Sequence, residues 1–183
     1  MSRIPTPPSI ATSPAASQPL LEGVNRQLGS VPNMFRLIGN SPVVLEGYLG
    51  MSAALARGAL PAQTRERIAL AVAEVNGCNY CLAAHTYLGR NLAKLDEAEI
   101  AANRAGTSHD AKADAAVRFA VLVARARGHV DAGAVQAVRA AGYSDAQIVE
   151  IVMHVALNTW TNYLNEVAAT EIDFPEVAAL ATA

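Results

Sequence analysis

Residues 61–85, PAQTRERIALAVAEVNGCNYCLAAH, decide the fold. Pro61 suits a helix start, because the first turn of a helix leaves N–H groups unbonded and proline has none to lose. A largely apolar run follows and stops at Asn76-Gly77, and glycine is a common helix end. Asn79 can then cap a second helix. The segment therefore predicts two consecutive helices joined by a short turn.

Helix signals recur along the rest of the chain. Ser41-Pro42 opens a helix that Gly58 ends, and two pairs have the spacing of a capping box: Asp96 with Glu99, and Ser144 with Gln147. Apolar residues at helical spacing predict further helices over 111–127, 131–140 and 148–169. In the first of these ranges the expected buried residues are Ala115, Val117, Phe119, Val121, Leu122 and Val123. Because no alternating strand pattern occurs, we predict an all-α fold.

The composition predicts a buried core and an oligomer. Of the 183 residues 52% are hydrophobic and 16% are charged, and the mean hydropathy is +0.21. A chain this apolar has to bury a core, and its length fits one domain. Since few charged residues remain to cover the surface, we expect further copies of the chain to cover part of it.

The first nineteen residues differ from the rest in composition, since they contain five of the nine prolines. Proline prevents a continuous helix, so we expect residues 1–19 to form an extended arm. Such an arm is either a disordered tail or a segment packed on a neighbouring subunit. Residues 20–183 then form the helical domain, because no repeat or change in composition marks a further boundary.

Charge and hydropathy narrow the expected partners and location. With 14 Lys and Arg against 16 Asp and Glu, the net charge of -2 lacks the basic excess that nucleic-acid binding favours. No stretch approaches the ~20 uninterrupted apolar residues of a membrane span, and the N-terminus lacks the apolar core of a secretory signal. We therefore expect a cytoplasmic protein with no nucleic-acid and no membrane partner.

The two cysteines of the chain, Cys78 and Cys81, are three positions apart, and His85 follows four positions later. At about 3.6 residues per turn these three residues share one helix face. His85 can therefore take the proton of Cys81, and Cys78 can form a disulfide with Cys81. Unbonded N–H groups near a helix start favour the reactive thiolate form. The pattern indicates thiol redox chemistry.

An upstream carboxylate would complete a set of nucleophile, base and orienting group. Glu66 lies twelve positions before Cys78 in the preceding helix, where it can orient His85 and stabilise the imidazolium. Glu74 is the competing candidate because it is nearer in sequence. Its position near the end of the helix, however, suits a carboxylate that is solvated or paired with an arginine.

Glu66, Cys78-Asn79-Tyr80-Cys81 and His85 together resemble the motif of the AhpD-like alkylhydroperoxidases, within the carboxymuconolactone decarboxylase superfamily. Outside the motif, three segments resemble the peroxidase-related branch of that superfamily: Val31-Pro32-Asn33-Met34-Phe35, Leu45-Glu46-Gly47-Tyr48 and Glu171-Ile172-Asp173-Phe174-Pro175. The resemblance covers most of the chain after the arm.

The resemblance implies an all-helical bundle assembled as a homotrimer or, from trimers of dimers, a homohexamer. It also implies reduction of a small hydroperoxide without metal or haem, with an unidentified thiol or disulfide compound as the reductant. Cys81 would be the peroxidatic thiol, Cys78 the resolving thiol, and Glu66 with His85 the proton relay. Tyr80 stands where some members have a histidine, so a relay through that position is altered here.

Other interpretations of the cysteine pair stay open. The two residues could be inert apolar groups, although His85 would then have no explanation. A zinc site or a redox sensor could also use them, but Cys78, Cys81 and His85 supply only three of the four ligands of a structural zinc. A lyase of the same superfamily, acting on a lactone acid, would need no cysteine pair. A thioredoxin fold would require strands that the pattern does not predict.

The last predicted helix is apolar nearly all round, yet it has one polar stripe. The stripe consists of His154, Asn158, Thr161, Asn162 and Asn165, which fall within an arc of roughly 100°. A buried polar stripe has to be hydrogen-bonded. We therefore interpret it as a seam between helices or subunits, with His154 as a satisfied core or interface histidine, and keep a substrate-pocket lining as the alternative.

Overall fold

The computed structural model describes residues 2–177. These residues form a short 3-10 helix at Ala15–Ser17 and nine α-helices: α1 (Gln18–Leu28), α2 (Asn33–Ile38), α3 (Pro42–Ala56), α4 (Ala62–Asn76), α5 (Asn79–Asn91), α6 (Glu97–Arg104), α7 (Ala111–Ala126), α8 (Ala132–Ala140) and α9 (Asp145–Ala168). The described chain contains no strand, which confirms the all-α fold. None of its helices is both long and apolar enough to cross a membrane.

The described residues divide into two compact units. The first unit consists of residues 2–57 and 165–173, and the second of residues 58–164 and 174–177. In the first unit the segment before the 3-10 helix contains no helix, and its Arg3 N–H donates to the Ala168 carbonyl at 2.6 Å. Helix α1 begins at Gln18, so Pro19 occupies its first turn instead of the arm in which we placed it.

Helix α4 is the centre of the second unit and packs against α5, α6 and α7. It is buried on all sides over residues 68–73. Ile68 and Val72 join a cluster that includes Phe119 and Ile151, whereas Leu70 faces a separate cluster of Ala93, Leu95 and Ile100. Because α4 is packed on opposite sides, it can neither shift along its axis nor rotate about it. The residues at its two ends are therefore held in place as well.

The predicted buried face of α7 is correct only in part. Val117, Phe119 and Val123 are buried, but Leu122 is 42% exposed. The buried face is completed by the small residues Ala113, Ala116 and Ala120, which follow helical spacing. A prediction from hydrophobicity ranks leucine above alanine as a buried residue. In the structure α7 packs against α4, and the small alanine side chains allow the two helices to approach closely.

The predicted capping boxes have different outcomes. Ser144 and Gln147 form a reciprocal box, with the Ser144 N–H donating to Gln147 Oε1 at 3.0 Å and the Gln147 N–H donating to Ser144 Oγ at 3.3 Å. Asp96 caps α6 by accepting the Glu99 N–H at 2.8 Å. Glu99 does not return the bond, because its carboxylate is used elsewhere.

Glu99 is a buried carboxylate that ties α4 to α6 and to the loop before α7. It accepts hydrogen bonds from Arg67 Nε at 2.6 Å, Ser108 Oγ at 2.5 Å, Asn103 Nδ2 at 2.9 Å and the His109 N–H at 2.9 Å. Burial acts to raise the pKa of Glu99, but these hydrogen bonds outweigh burial and lower its pKa to about 2. The carboxylate therefore stays charged and holds four donors at once.

We predict that Glu99→Gln lowers the free energy of unfolding by about 2 kcal/mol at pH 7, because it leaves buried donors poorly bonded. The folded-state pKa lies below the usual unfolded value, so this stability is present above that value and is lost as the pH falls towards 2. Urea unfolding at pH 7 and at pH 3 should show a smaller difference between variant and wild type at pH 3. Glu97→Gln, at an exposed pair with Arg90, is the control and should have almost no effect at either pH.

Candidate active site

The turn from α4 to α5 places the two cysteines. Gly77 ends α4 in the left-handed region at φ 67°, which turns the chain so that α5 starts at once. Cys78 is the N-cap of α5, since its Sγ accepts the Cys81 N–H at 3.3 Å. We had expected Asn79 to be the cap, and that expectation is wrong, because Asn79 is already the first residue of the helix. Both sulfurs thus lie at the start of α5, where unbonded N–H groups favour a thiolate on one of the pair.

Cys78 and Cys81 are in contact within the protein. Their Sγ atoms are 2.6 Å apart, and the residues are 0% and 3% exposed. The structure contains both as cysteines without a disulfide. Because a disulfide bond is about 2.0 Å long, only a small movement of one side chain separates this contact from a bond.

His85 and Glu66 meet across the α4–α5 pair, with His85 Nδ1 2.9 Å from Glu66 Oε2. Both side chains are about one-fifth exposed, at 21% and 22%. Burial acts to lower the pKa of His85, but the Glu66 charge and hydrogen bond, helped by Cys81 and Asn158, outweigh burial and raise that pKa above its usual value of 6.5. The structure thus brings together all four predicted site residues: Glu66, Cys78, Cys81 and His85.

Glu74, the competing carboxylate, lies elsewhere. Its Oε2 accepts a hydrogen bond from Arg104 Nε at 2.7 Å, which attaches the end of α4 to α6. Eight residues separate Glu74 from Glu66, so the two carboxylates are about 12 Å apart along the helix. Glu66 is therefore the carboxylate next to His85, and Glu74 is paired with an arginine, one of the two states we expected of it.

Asn158 on α9 belongs to the site, and our sequence reasoning did not assign it there. Its Nδ2 donates to the His154 carbonyl at 2.8 Å, and its side chain is a second hydrogen-bonding partner of the His85 ring. Because the Asn158 hydrogen bond raises the pKa of His85, the amide oxygen is the group that accepts from the ring. The polar stripe of α9 is visible in the sequence, but the sequence does not show which residue of the stripe contacts His85.

The same stripe also reaches the end of α4 beside Cys78. Asn162 Oδ1 accepts a hydrogen bond from Asn76 Nδ2 at 2.8 Å. This bond confirms a hydrogen-bonded seam between helices at that position. His154 is not satisfied within its own chain, since its Nε2 is buried and has no hydrogen-bond partner within residues 2–177, and its expected role as an interface histidine stays a prediction.

Tyr80, between the cysteines, turns to an aromatic cluster. Its ring meets the ring of Phe174 edge to face, with centroids 5.8 Å apart, and Tyr87 lies 5.9 Å from the same phenylalanine. These contacts are typical of favourable aromatic pairs. The Tyr80 ring thus belongs to an aromatic cluster with Phe174. No group of three or more His, Cys, Asp or Glu side chains in the described part of the chain is arranged to hold a metal ion.

The fold and the site together define a class: an all-helical protein with a buried cysteine pair at a helix start and a Glu–His pair one turn away. Residues 42–125 match the carboxymuconolactone decarboxylase family. No curated protein sequence matches the chain. The fold of the described chain is AhpD-like.

Solved structures with the same fold extend over nearly the whole chain. A peroxidase-related protein from Ralstonia eutropha JMP134, described as an alkylhydroperoxidase AhpD core, is 24% identical with a TM-score of 0.84, covering 94% of this chain and 92% of its own. A peroxidase-related protein from Silicibacter sp. TM1040 is also 24% identical, with a TM-score of 0.80 and coverage of 92% and 89%. A variant of the debrominase Bmp8, in complex with 2,3,4-tribromopyrrole, is 20% identical with a TM-score of 0.74 and coverage of 87% and 86%. These likenesses establish the fold that the chains share.

We predict that Glu66→Gln lowers the pKa of His85, because it removes the negative charge that opposes burial. The NMR titration of the His85 ring measures this pKa directly. Glu74→Gln is the matched control on the same helix, and it should leave the His85 titration unchanged. An equal effect of the two substitutions would show that Glu66 does not act on His85 through its charge.

Proposed function

We propose that the protein is a thiol-dependent peroxidase that reduces small hydroperoxides through a Cys78–Cys81 disulfide. The observation that carries the proposal is the 2.6 Å contact between the two sulfurs, beside a histidine whose pKa Glu66 raises. A thiol pair this close can cycle between dithiol and disulfide, and a protonated histidine can supply the proton that peroxide cleavage requires.

In the first step the Cys81 thiolate attacks the terminal oxygen of the hydroperoxide. An S–O bond forms, the O–O bond breaks, and Cys81 becomes a sulfenic acid. The departing alkoxide takes a proton from the His85 imidazolium and leaves as an alcohol. Cys81 is assigned this role because it precedes His85 by one helix turn and interacts with it electrostatically.

In the second step the Cys78 sulfur attacks the sulfenic sulfur of Cys81. His85, now neutral, takes the Cys78 proton and passes it to the departing hydroxide, so that a disulfide and one water form. The reduced state returns when an external thiol or dithiol reductant supplies two electrons and two protons. Over one cycle the peroxide is reduced to alcohol and water while the reductant is oxidised.

The fold alone does not select this reaction, because the debrominase Bmp8 has the same fold. Halogenated aromatic compounds therefore belong in the substrate panel as a second candidate class. The lyase interpretation and the metal-binding or redox-sensing interpretation make different demands on the cysteines. A lyase would work without them, and a sensor would oxidise without turning over.

We predict that Cys81→Ser abolishes peroxide consumption, whereas Cys78→Ser allows one oxidation of Cys81 and then stalls at the sulfenic acid. Stopped-flow mixing of reduced protein with several hydroperoxides, followed by intact mass, measures both outcomes. Sulfenic acid on Cys78 in the Cys81→Ser protein would reverse the two roles. Turnover by a variant that lacks both cysteines would contradict the proposal and favour the lyase.

Asn158 is proposed as a positioning residue that helps to keep His85 protonated. With Glu66 on one ring nitrogen and an amide oxygen as the second acceptor, the ring is best satisfied when both nitrogens carry protons. We predict that Asn158→Leu lowers the pKa of His85 and that Asn158→Asp raises it. The alkaline limb of the peroxide-reactivity profile should move with the pKa in each case, to lower pH for Leu and to higher pH for Asp. A change in rate without such a movement would assign Asn158 a purely structural role.

A further inference from the structure

His154 is a buried polar side chain that the proposed reaction does not use. It lies on α9, is 6% exposed, and its Nε2 has no hydrogen-bond partner within the described residues. Because an unbonded buried nitrogen destabilises a protein, such an atom calls for an explanation. In a core histidine we would expect both nitrogens to be bonded, as they are for His85.

Its position relates it to the site. His154 is four residues before Asn158, so both lie on the same face of α9, and the Asn158 side chain bonds the His154 carbonyl at 2.8 Å. Asn158 in turn contacts His85, and the charge of Glu66 acts on His154 as well as on His85. His154 therefore lies one helix turn along α9 from the asparagine that contacts His85.

The charges around His154 come from two helices. Arg65 and Glu66 belong to α4, and Glu150 belongs to α9. The Glu150 oxygens accept the N–H groups of Ala59 and Leu60 at 2.9 and 3.0 Å, so they already have partners. Burial and the Arg65 charge lower the pKa of His154 to about 4, against the opposing action of the two carboxylates. At neutral pH the ring is uncharged and offers one hydrogen bond at Nε2.

We propose that His154 Nε2 is a substrate subsite, which hydrogen-bonds the oxygen of an uncharged organic hydroperoxide beside Cys81. The inference rests on the proposed function. An uncharged imidazole with two carboxylates and one guanidinium around it provides no net positive charge for a carboxylate-bearing substrate. The subsite thus favours neutral hydroperoxides over acidic ones. His154 is a specificity residue, whereas the proton transfers belong to His85.

The first arm of the test measures binding without chemistry. The probe is 2-phenyl-2-propanol, the alcohol formed from cumene hydroperoxide, titrated into the reduced protein by NMR. We expect His154→Leu to raise its Kd about 3- to 10-fold, the loss of one neutral hydrogen bond. His154→Gln should restore most of the affinity, because its amide can reach the place of Nε2. Thr161→Val is the control, since the Thr161 hydroxyl bonds only the backbone of its own helix.

The second arm measures turnover. For cumene hydroperoxide, His154→Leu should raise KM by a factor similar to that for the alcohol Kd, with kcat and the pH profile of His85 nearly unchanged. The methyl ester of linoleic acid hydroperoxide should react faster than the free acid in the wild type. An unchanged alcohol Kd in His154→Leu, no rescue by Gln, or a preference for the acid would overturn the subsite.

The two arms separate the inference from the function on which it rests. If the wild type consumes no hydroperoxide but binds the alcohol in a His154-dependent way, the peroxidase proposal fails and the subsite stands. If the wild type consumes hydroperoxide and His154→Leu changes only the melting temperature, the peroxidase proposal stands and the subsite is overturned.

Discussion

The burial of α4 is the constraint on which the second unit depends. Its middle, residues 68–73, is in contact with apolar side chains on every side, so the helix can neither rotate nor slide without opening both clusters. Glu66 precedes this rigid middle and Gly77 follows it. Because both ends are fixed by the same burial, the distance between the carboxylate and the turn that carries Cys78 is fixed as well.

The charged residues of α4 show how such a helix is compatible with a dry interior. Glu66 pairs with His85 on α5, Arg67 with Glu99 on α6, and Glu74 with Arg104 on α6. A charge at the edge of a core is tolerated only when it is paired and hydrogen-bonded. Each pair also ties α4 to a different point of its neighbours. The pair made by Glu66 differs from the other two because its partner is a histidine, the residue type whose ordinary pKa lies nearest to neutral pH.

Structural features that depend only on residues within one or two helix turns of each other could be predicted from the sequence. The all-α fold, the bounds of α4 and the shared face of Cys78, Cys81 and His85 follow from periodicity and spacing. The cap of α5 was assigned one residue too late, since the left-handed turn at Gly77 leaves Cys78 at the N-cap. Asn158 could not be assigned to His85, because more than seventy residues separate them and only the packing of α9 decides which stripe residue meets the ring. The seam is present at Asn162, which bonds Asn76, and the pocket lining remains our proposal for another residue of the same stripe.

His85 and His154 have different surroundings, and these surroundings shift the pKa values of the two rings in opposite directions. Both rings are desolvated, which favours the neutral form. His85 has a carboxylate in direct contact and an amide acceptor, so its pKa rises, whereas the pKa of His154, near Arg65 and without a partner at Nε2, falls to about 4. The reaction that we propose uses a proton donor and a neutral hydrogen-bonding group, and one residue type can supply both because the contacts of each ring set its charge. In this proposal α9 contributes to the site through Asn158 and His154, beside the residues of the cysteine motif.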